Sequence, residues 1–133
     1  MVKIGINGLG RIGRAILRIN EQKKIFDIVV INDINPSNEN LAYMVKYDST
    51  YGNFHKNISS DNHSIKIENS NSIDVYHKNI ISKVPWENYN TDIVIDASGV
   101  YENLLYKKEL KRKGVKHQIV TNTPDSDEID KYI

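Results

Sequence analysis

Near its start the chain sets three glycines at a spacing that lets a main chain close around phosphate: Gly8, Gly10 and Gly13 in Asn7-Gly8-Leu9-Gly10-Arg11-Ile12-Gly13. In such a G-x-G-x-x-G turn the first glycine permits the tight turn and the second lets backbone approach a pyrophosphate. The third lets the following helix sit close on the strand. The free N–H groups of that helix's first turn and its dipole favour an anion. Alone, the string also fits an ordinary strand–turn–helix. A second group adds to it: the apolar run Ile28-Val29-Val30-Ile31 ends in Asn32-Asp33. Asp33 follows Gly13 at about the 20-residue distance where a dinucleotide fingerprint places the acid that meets the adenosine ribose. A third is Ala97-Ser98-Gly99, where small residues allow a ribose or nicotinamide to come close. Its plainer reading is a strand-to-helix turn. Asn122-Thr123 marks a possible fourth strand end.

These groups need strands to present them. Val2, Ile4 and Ile6 give a buried strand, and Ile12, Ala15, Ile16 and Ile19 give one face of a helix over about Arg11 to Gln22. Phe26 and Ile28 lead into the second strand, and Pro36 keeps Asn32 to Asn35 out of helix. Ser37 or Asn38 can cap a helix bearing Leu41, Ala42, Met44 and Val45, stopping near Tyr47. Ile65/Ile67 and Ile73/Val75 alternate with polar residues around Glu68 to Ser72, which predicts an exposed antiparallel hairpin; the Asn- and Ser-rich composition is also that of a disordered stretch. Ile80, Ile81 and Val84 predict a further short extended piece. Asp92 to Gly99 reads as a parallel strand covered on both faces. A helix over Glu102 to Lys113 then stops at Gly114, and His117 to Thr121 gives another strand. The whole predicts an α/β, Rossmann-type, doubly wound and mostly parallel sheet with an inserted antiparallel hairpin, incomplete at its carboxyl end. Residues 1–133 form one dinucleotide-binding domain in this reading.

The totals narrow the partners. At 133 residues the chain has room for one domain with a core. A net charge of +1 gives no argument for nucleic acid or an anionic membrane. Lys107, Lys108, Lys111, Arg112, Lys113 and Lys116 alternate with Leu104, Leu105 and Leu110, so a solvated helix face suits them better than a nucleic-acid patch. No apolar run is long enough to cross a bilayer, and strand begins at once, leaving no room for a signal peptide; the expected location is cytoplasmic. The sequence has no cysteine, hence no disulfide, no thiolate zinc site and no thiol nucleophile. His55, His63, His77 and His117 read as surface or packing residues. No catalytic residue and no metal site are expected.

Taken together, these strings resemble the amino-terminal NAD-binding domain of the phosphorylating, glycolytic glyceraldehyde-3-phosphate dehydrogenases. The resemblance rests on Asn7 to Arg14, Ile31-Asn32-Asp33, Tyr47-Asp48-Ser49-Thr50-Tyr51-Gly52 and Ala97-Ser98-Gly99-Val100-Tyr101, in that order. Asp48 to Gly52 is the specific string, since dinucleotide domains in general do not carry it. The likeness implies NAD as cofactor, with Arg11 and Ile12 offering N–H groups to the pyrophosphate and Asp33 holding the ribose hydroxyls. It implies Ser98 and Gly99 further along the cofactor and Asn122 and Thr123 towards the nicotinamide; Asn7, Gly8, Gly10, Gly13 and Asn32 complete the expected set. Two features depart from the family: no basic-Asp-Pro string precedes Trp86, and Asn122-Thr123-Pro124 stands where Ser-Ala-Pro is usual.

The family's cysteine nucleophile, histidine base and phosphate sites have no counterpart in these residues. The expectation is therefore a cofactor-holding part of an aldehyde-oxidising, phosphorylating dehydrogenase, with the catalytic domain outside this chain, inactive alone and a homo-oligomer when complete. The alternative is a stand-alone, non-catalytic nucleotide-binding module.

Overall fold

The computed structural model describes residues 1–48 and 52–121. The order of elements is β1 (Lys3–Asn7), α1 (Arg11–Lys23), β2 (Asp27–Asn32), α2 (Asn38–Lys46), β3 (Tyr47–Asp48) and β4 (Gly52–Asn53). There follow β5 (Ile58–Ser60), β6 (Ser64–Ile67), β7 (Ser72–Tyr76), β8 (Ile93–Asp96), α3 (Lys107–Arg112) and β9 (His117–Val120). One seven-stranded sheet runs β5-β6-β7-β2-β1-β8-β9, and β3 and β4 form a separate antiparallel pair. Strands β7, β2, β1, β8 and β9 are mutually parallel, while β6 is antiparallel to both of its neighbours. From the central β1 the chain crosses to β2 on one side and to β8 on the other. The sheet therefore has its topological switch point between β1 and β8, where ligands of open α/β sheets collect.

Both faces of the sheet are covered, as the near-continuous apolar strands require. On one face Leu17 of α1 and Leu41, Ala42 and Val45 of α2 close over Ile4, Ile6, Ile31 and Ile95. On the other, Leu110 of α3, Val115 and the fully buried Trp86 close over Val30 and Val94. The α2 start follows its predicted chemistry: the Ser37 side chain accepts from Asn40 N–H at 3.0 Å.

Three sequence expectations change. The hairpin is present but exposed on one face only: β7 joins β2 in the main sheet, and Ile65 and Ile67 are fully buried in the same cluster as α2. Ile81–Lys83 is a 3₁₀ turn and not an extended piece, and its carbonyl at Ile81 accepts the Trp86 indole N–H at 2.9 Å. The helix expected over Glu102 to Lys113 divides into a 3₁₀ stretch, Tyr101–Tyr106, followed by α3. The stop at Gly114 holds, with φ +88°. Asn122, Thr123 and the acidic stretch after them lie outside the described residues, as do Ser49 to Tyr51 of the Asp48 string.

At the end of the sheet where the parallel strands begin, charged groups tie elements together. The Glu21 carboxylate at the end of α1 pairs with Lys24 at 2.9 Å and Lys56 at 3.0 Å and accepts from the Ser70 hydroxyl. Burial opposes its charge, but these hydrogen bonds prevail and hold the carboxyl below its ordinary range. Asp92 accepts from Lys3 N–H at 3.0 Å, joining the starts of β8 and β1, and that bond lowers its carboxyl too.

Candidate functional site

The carboxyl ends of β1, β2 and β8 open into one cleft of about 270 Å³. Its walls include Asn7, Gly8, Gly10, Asn32, Asp33 and Ser98 from the expected set. Strand pairing accounts for the convergence: Asn7 stands beside Asn32 on one side and Asp96 on the other, so each strand delivers its terminal polar residue at one level.

The glycines do separate work. Gly8 has φ +96°, and a Cβ there would fall 2.7 Å from Ser98 N, so the turn after β1 is pressed against the end of β8. At Gly13 a Cβ would lie 2.2 Å from the Gly8 carbonyl oxygen; only a hydrogen lets α1 approach the strand this closely. Gly10 differs from both. Its φ is −80°, and no atom lies within 4 Å of the position a Cβ would take. No contact within the described residues requires glycine there; the open space lies over the start of α1.

That helix start is polar and uncapped. The first bond within α1 is Arg14 N–H to the Gly10 carbonyl at 2.9 Å, so the N–H groups of Arg11, Ile12 and Gly13 precede the helical ladder. No side chain caps this end and no acid occupies its first turn. The arrangement favours an anion brought from outside. The side chains of Arg11 and Ile12 point away into solvent, and neither lines the cleft. Arg14 is turned back on the protein, donating to the Leu9 carbonyl at 3.2 Å and lying 3.6 Å from Asp48. The first residue of the Asp48 string thus braces the glycine turn.

Asp33 is held from two directions. Its Oδ2 accepts from Leu9 N–H at 2.7 Å and its Oδ1 from Asn35 N–H at 2.8 Å. Each oxygen keeps a lone pair for a further donor, so the carboxylate is fixed in place yet able to accept a diol. The imidazole Nδ1 of His77 sits 2.8 Å from the Asp33 carbonyl oxygen.

Asn7 and Asn32 are engaged inside the protein. Asn32 Nδ2 donates to Asn7 Oδ1 at 2.8 Å and to the Lys78 carbonyl at 3.0 Å, and its Oδ1 accepts from Lys78 N–H. All the hydrogen-bonding groups of the Asn32 amide except one lone pair are spent on neighbours. Ser98 lines the wall and Gly99, φ +77°, turns the chain away behind it.

Sequence reasoning missed Ile34, Lys78, Asn79, Ile81, Val100 and Asn103, which also line the cleft. Asn79 and Ile81 belong to the stretch before Trp86 that lacks the basic-Asp-Pro string. It also missed Asp96, whose signal was the same as that of Asn32: a polar residue ending an apolar strand. Among the described residues no group of histidine and carboxylate side chains is placed to hold a metal ion, and no helix is long and apolar enough to cross a membrane.

The family described as the NAD-binding domain of glyceraldehyde 3-phosphate dehydrogenase matches residues 2–104. The chain belongs to that family. Its cofactor is accordingly NAD. Glyceraldehyde-3-phosphate dehydrogenase 1 of Saccharomyces cerevisiae is 37% identical over 121 residues, covering 91% of this chain and 36% of the yeast protein. A chloroplastic glyceraldehyde-3-phosphate dehydrogenase of Arabidopsis thaliana is 37% identical over 94% of this chain and 29% of its own length. The enzyme of Buchnera aphidicola is 36% identical over 99% of this chain and 39% of its own. The chain thus spans between 29% and 39% of the length of these relatives.

Proposed function

We propose that this chain is the cofactor-holding part of a phosphorylating, NAD-dependent aldehyde dehydrogenase of the glyceraldehyde-3-phosphate type. What supports this most directly is the open space at Gly10 above an uncapped helix start, in a cleft that also holds Asp33. The residues fit the cofactor. The N–H groups of Arg11 and Ile12 would take the pyrophosphate, Gly10 would let it approach, and Asp33 would accept from the adenosine ribose hydroxyls. Ser98 and Gly99 would line the next part of the cofactor, with Asn122 and Thr123 towards the nicotinamide. Asn7 and Asn32 would contribute mainly by fixing the strand ends. NAD, when bound, supplies the hydride acceptor for aldehyde oxidation.

The sequence has no thiol, so the nucleophile that attacks the aldehyde would come from residues outside these 133. This chain alone would hold cofactor without turning over substrate. The complete enzyme would be a cytoplasmic homo-oligomer acting in glycolysis.

Asp33 also sets the choice of cofactor. A 2′-phosphate about 4 Å from its carboxylate would cost on the order of a few kcal/mol at intermediate dielectric. Calorimetric titration of the full 133-residue chain tests both statements. NAD is expected to bind, with NADP weaker by tenfold or more. A folded chain that binds no NAD at millimolar concentration would refute the role, and equal affinity for the two would refute the assignment of Asp33.

A further inference from the structure

Behind the cleft, and outside its lining, lies a carboxylate that none of the cofactor contacts above uses. Asp96 ends β8 with 2% of its surface exposed, and no cation pairs with it among the described residues. Burying such a group is costly unless its lone pairs are met by donors. They are met almost wholly by residues that line the cleft. Oδ1 accepts from Asn7 Nδ2 at 3.1 Å, Ser98 Oγ at 2.7 Å and Ser98 N at 3.2 Å; Oδ2 accepts from Asn103 Nδ2 at 3.0 Å. Asn103 Nδ2 in turn reaches Ser98 Oγ at 3.1 Å. The chain of bonds continues from Asn7 through Asn32 to the backbone of Lys78, at the opposite side of the cleft.

We infer that Asp96 is a positioning residue: a buried acceptor that fixes Ser98, Asn103 and Asn7, and through them the β8 side of the cofactor cleft. A carboxylate suits this place because all four of its partners present donors. An asparagine of the same shape cannot replace it. If its amide nitrogen takes the Oδ1 position, Ser98 N–H and Asn7 Nδ2 both lose their acceptor. If the nitrogen takes the Oδ2 position, Asn103 must flip to accept from it, and the Asn103 bond to Ser98 Oγ is lost. Each placement frees Ser98 by one hydrogen bond. The Asp33 carboxylate keeps both of its own donors in either case, the N–H groups of Leu9 and Asn35.

This inference rests on the proposed cofactor role, and the test separates the two. NAD and AMP are titrated into the full chain, into Asp96→Asn and into Asn103→Ala, with thermal unfolding measured alongside. AMP occupies only the Asp33 end and reports general damage to the fold. In Asp96→Asn, NAD is expected to bind about five- to tenfold more weakly. Its AMP affinity is expected to stay within about twofold of the unaltered chain. Asn103→Ala keeps the carboxylate and removes one donor, so it is expected to show a smaller loss of the same kind. Should Asp96→Asn fail to fold, Asn103→Ala carries the test alone. Equal weakening of NAD and AMP would make Asp96 and its network a merely structural feature and overturn the inference, as would unchanged NAD affinity. Failure of the unaltered chain to bind either ligand would overturn the cofactor role itself, and this inference with it.

Discussion

The two ends of the parallel sheet solve the same problem in opposite ways. Each must satisfy backbone and side-chain polar groups at the rim of an apolar core. Where the strands begin, the protein uses charge against charge: Glu21 with Lys24 and Lys56, and Asp92 with Lys116 and the Lys3 N–H. Glu21–Lys56, Asp92–Lys116 and the Lys3 N–H bond to Asp92 each join segments distant in the chain. Where the strands finish, side-chain amides and a buried carboxylate bond to one another in a row, and the N–H groups of the α1 start are left without a protein partner in the helix. Glycines there keep the main chain close to itself at Gly8 and Gly13 and leave a space at Gly10. One end is finished by the protein. The other leaves the N–H groups of the α1 start uncapped, which is where the proposed cofactor would enter.

Substitutions can break that contrast. The largest effect is expected from Gly13→Ala, because its Cβ would meet a main-chain oxygen 2.2 Å away. Stability should fall by about 3 kcal/mol, and NAD binding should fall with it; denaturant titration and calorimetry measure the two. Asp33→Ala should act mainly on the ligand. NAD is expected to weaken about tenfold and the discrimination against NADP to shrink to about threefold or less. A variant retaining full discrimination would remove Asp33 from cofactor choice.

Glu21→Gln probes the finished end. It is expected to cost about 2 kcal/mol at neutral pH with NAD affinity unchanged. The sign with pH is fixed by the lowered carboxyl. Glu21 binds its proton less readily when folded than at its ordinary value of 4.5, so its contribution is present above that value. It is lost as pH falls through the lower, folded value. The stability gap between the unaltered chain and Glu21→Gln should therefore close in acid, and a gap independent of pH between 7 and 3 would count against the ion pairs as its source.

The finishing end was the more legible of the two in the amino-acid sequence. Glycine spacing, the acid after β2 and the small residues after β8 each have a backbone reason that shows in a few consecutive residues. The Glu21 cluster joins residues of α1, Lys56 and the loop before β7, and no local pattern reports such a meeting. The hairpin shows the same limit. Alternation at Ile65/Ile67 and Ile73/Val75 reveals that one face is buried, but not that β7 docks on β2 and that α2 covers the result. Asp96 ends a strand that reads as apolar, and its meaning depends on register with Asn7.

The smallest effect on the fold should come from Gly10→Ala, and it bears most directly on the central claim. At φ −80°, with no protein atom within 4 Å of the new methyl, alanine should leave the unfolding midpoint unchanged or slightly raised. If the space is kept for a pyrophosphate, the methyl group occupies the path of the ligand. Titrating NAD into the unaltered chain and into Gly10→Ala under the same conditions should then show binding to the first and a loss of tenfold or more in the second, with stability preserved. Equal binding by both chains would contradict the account.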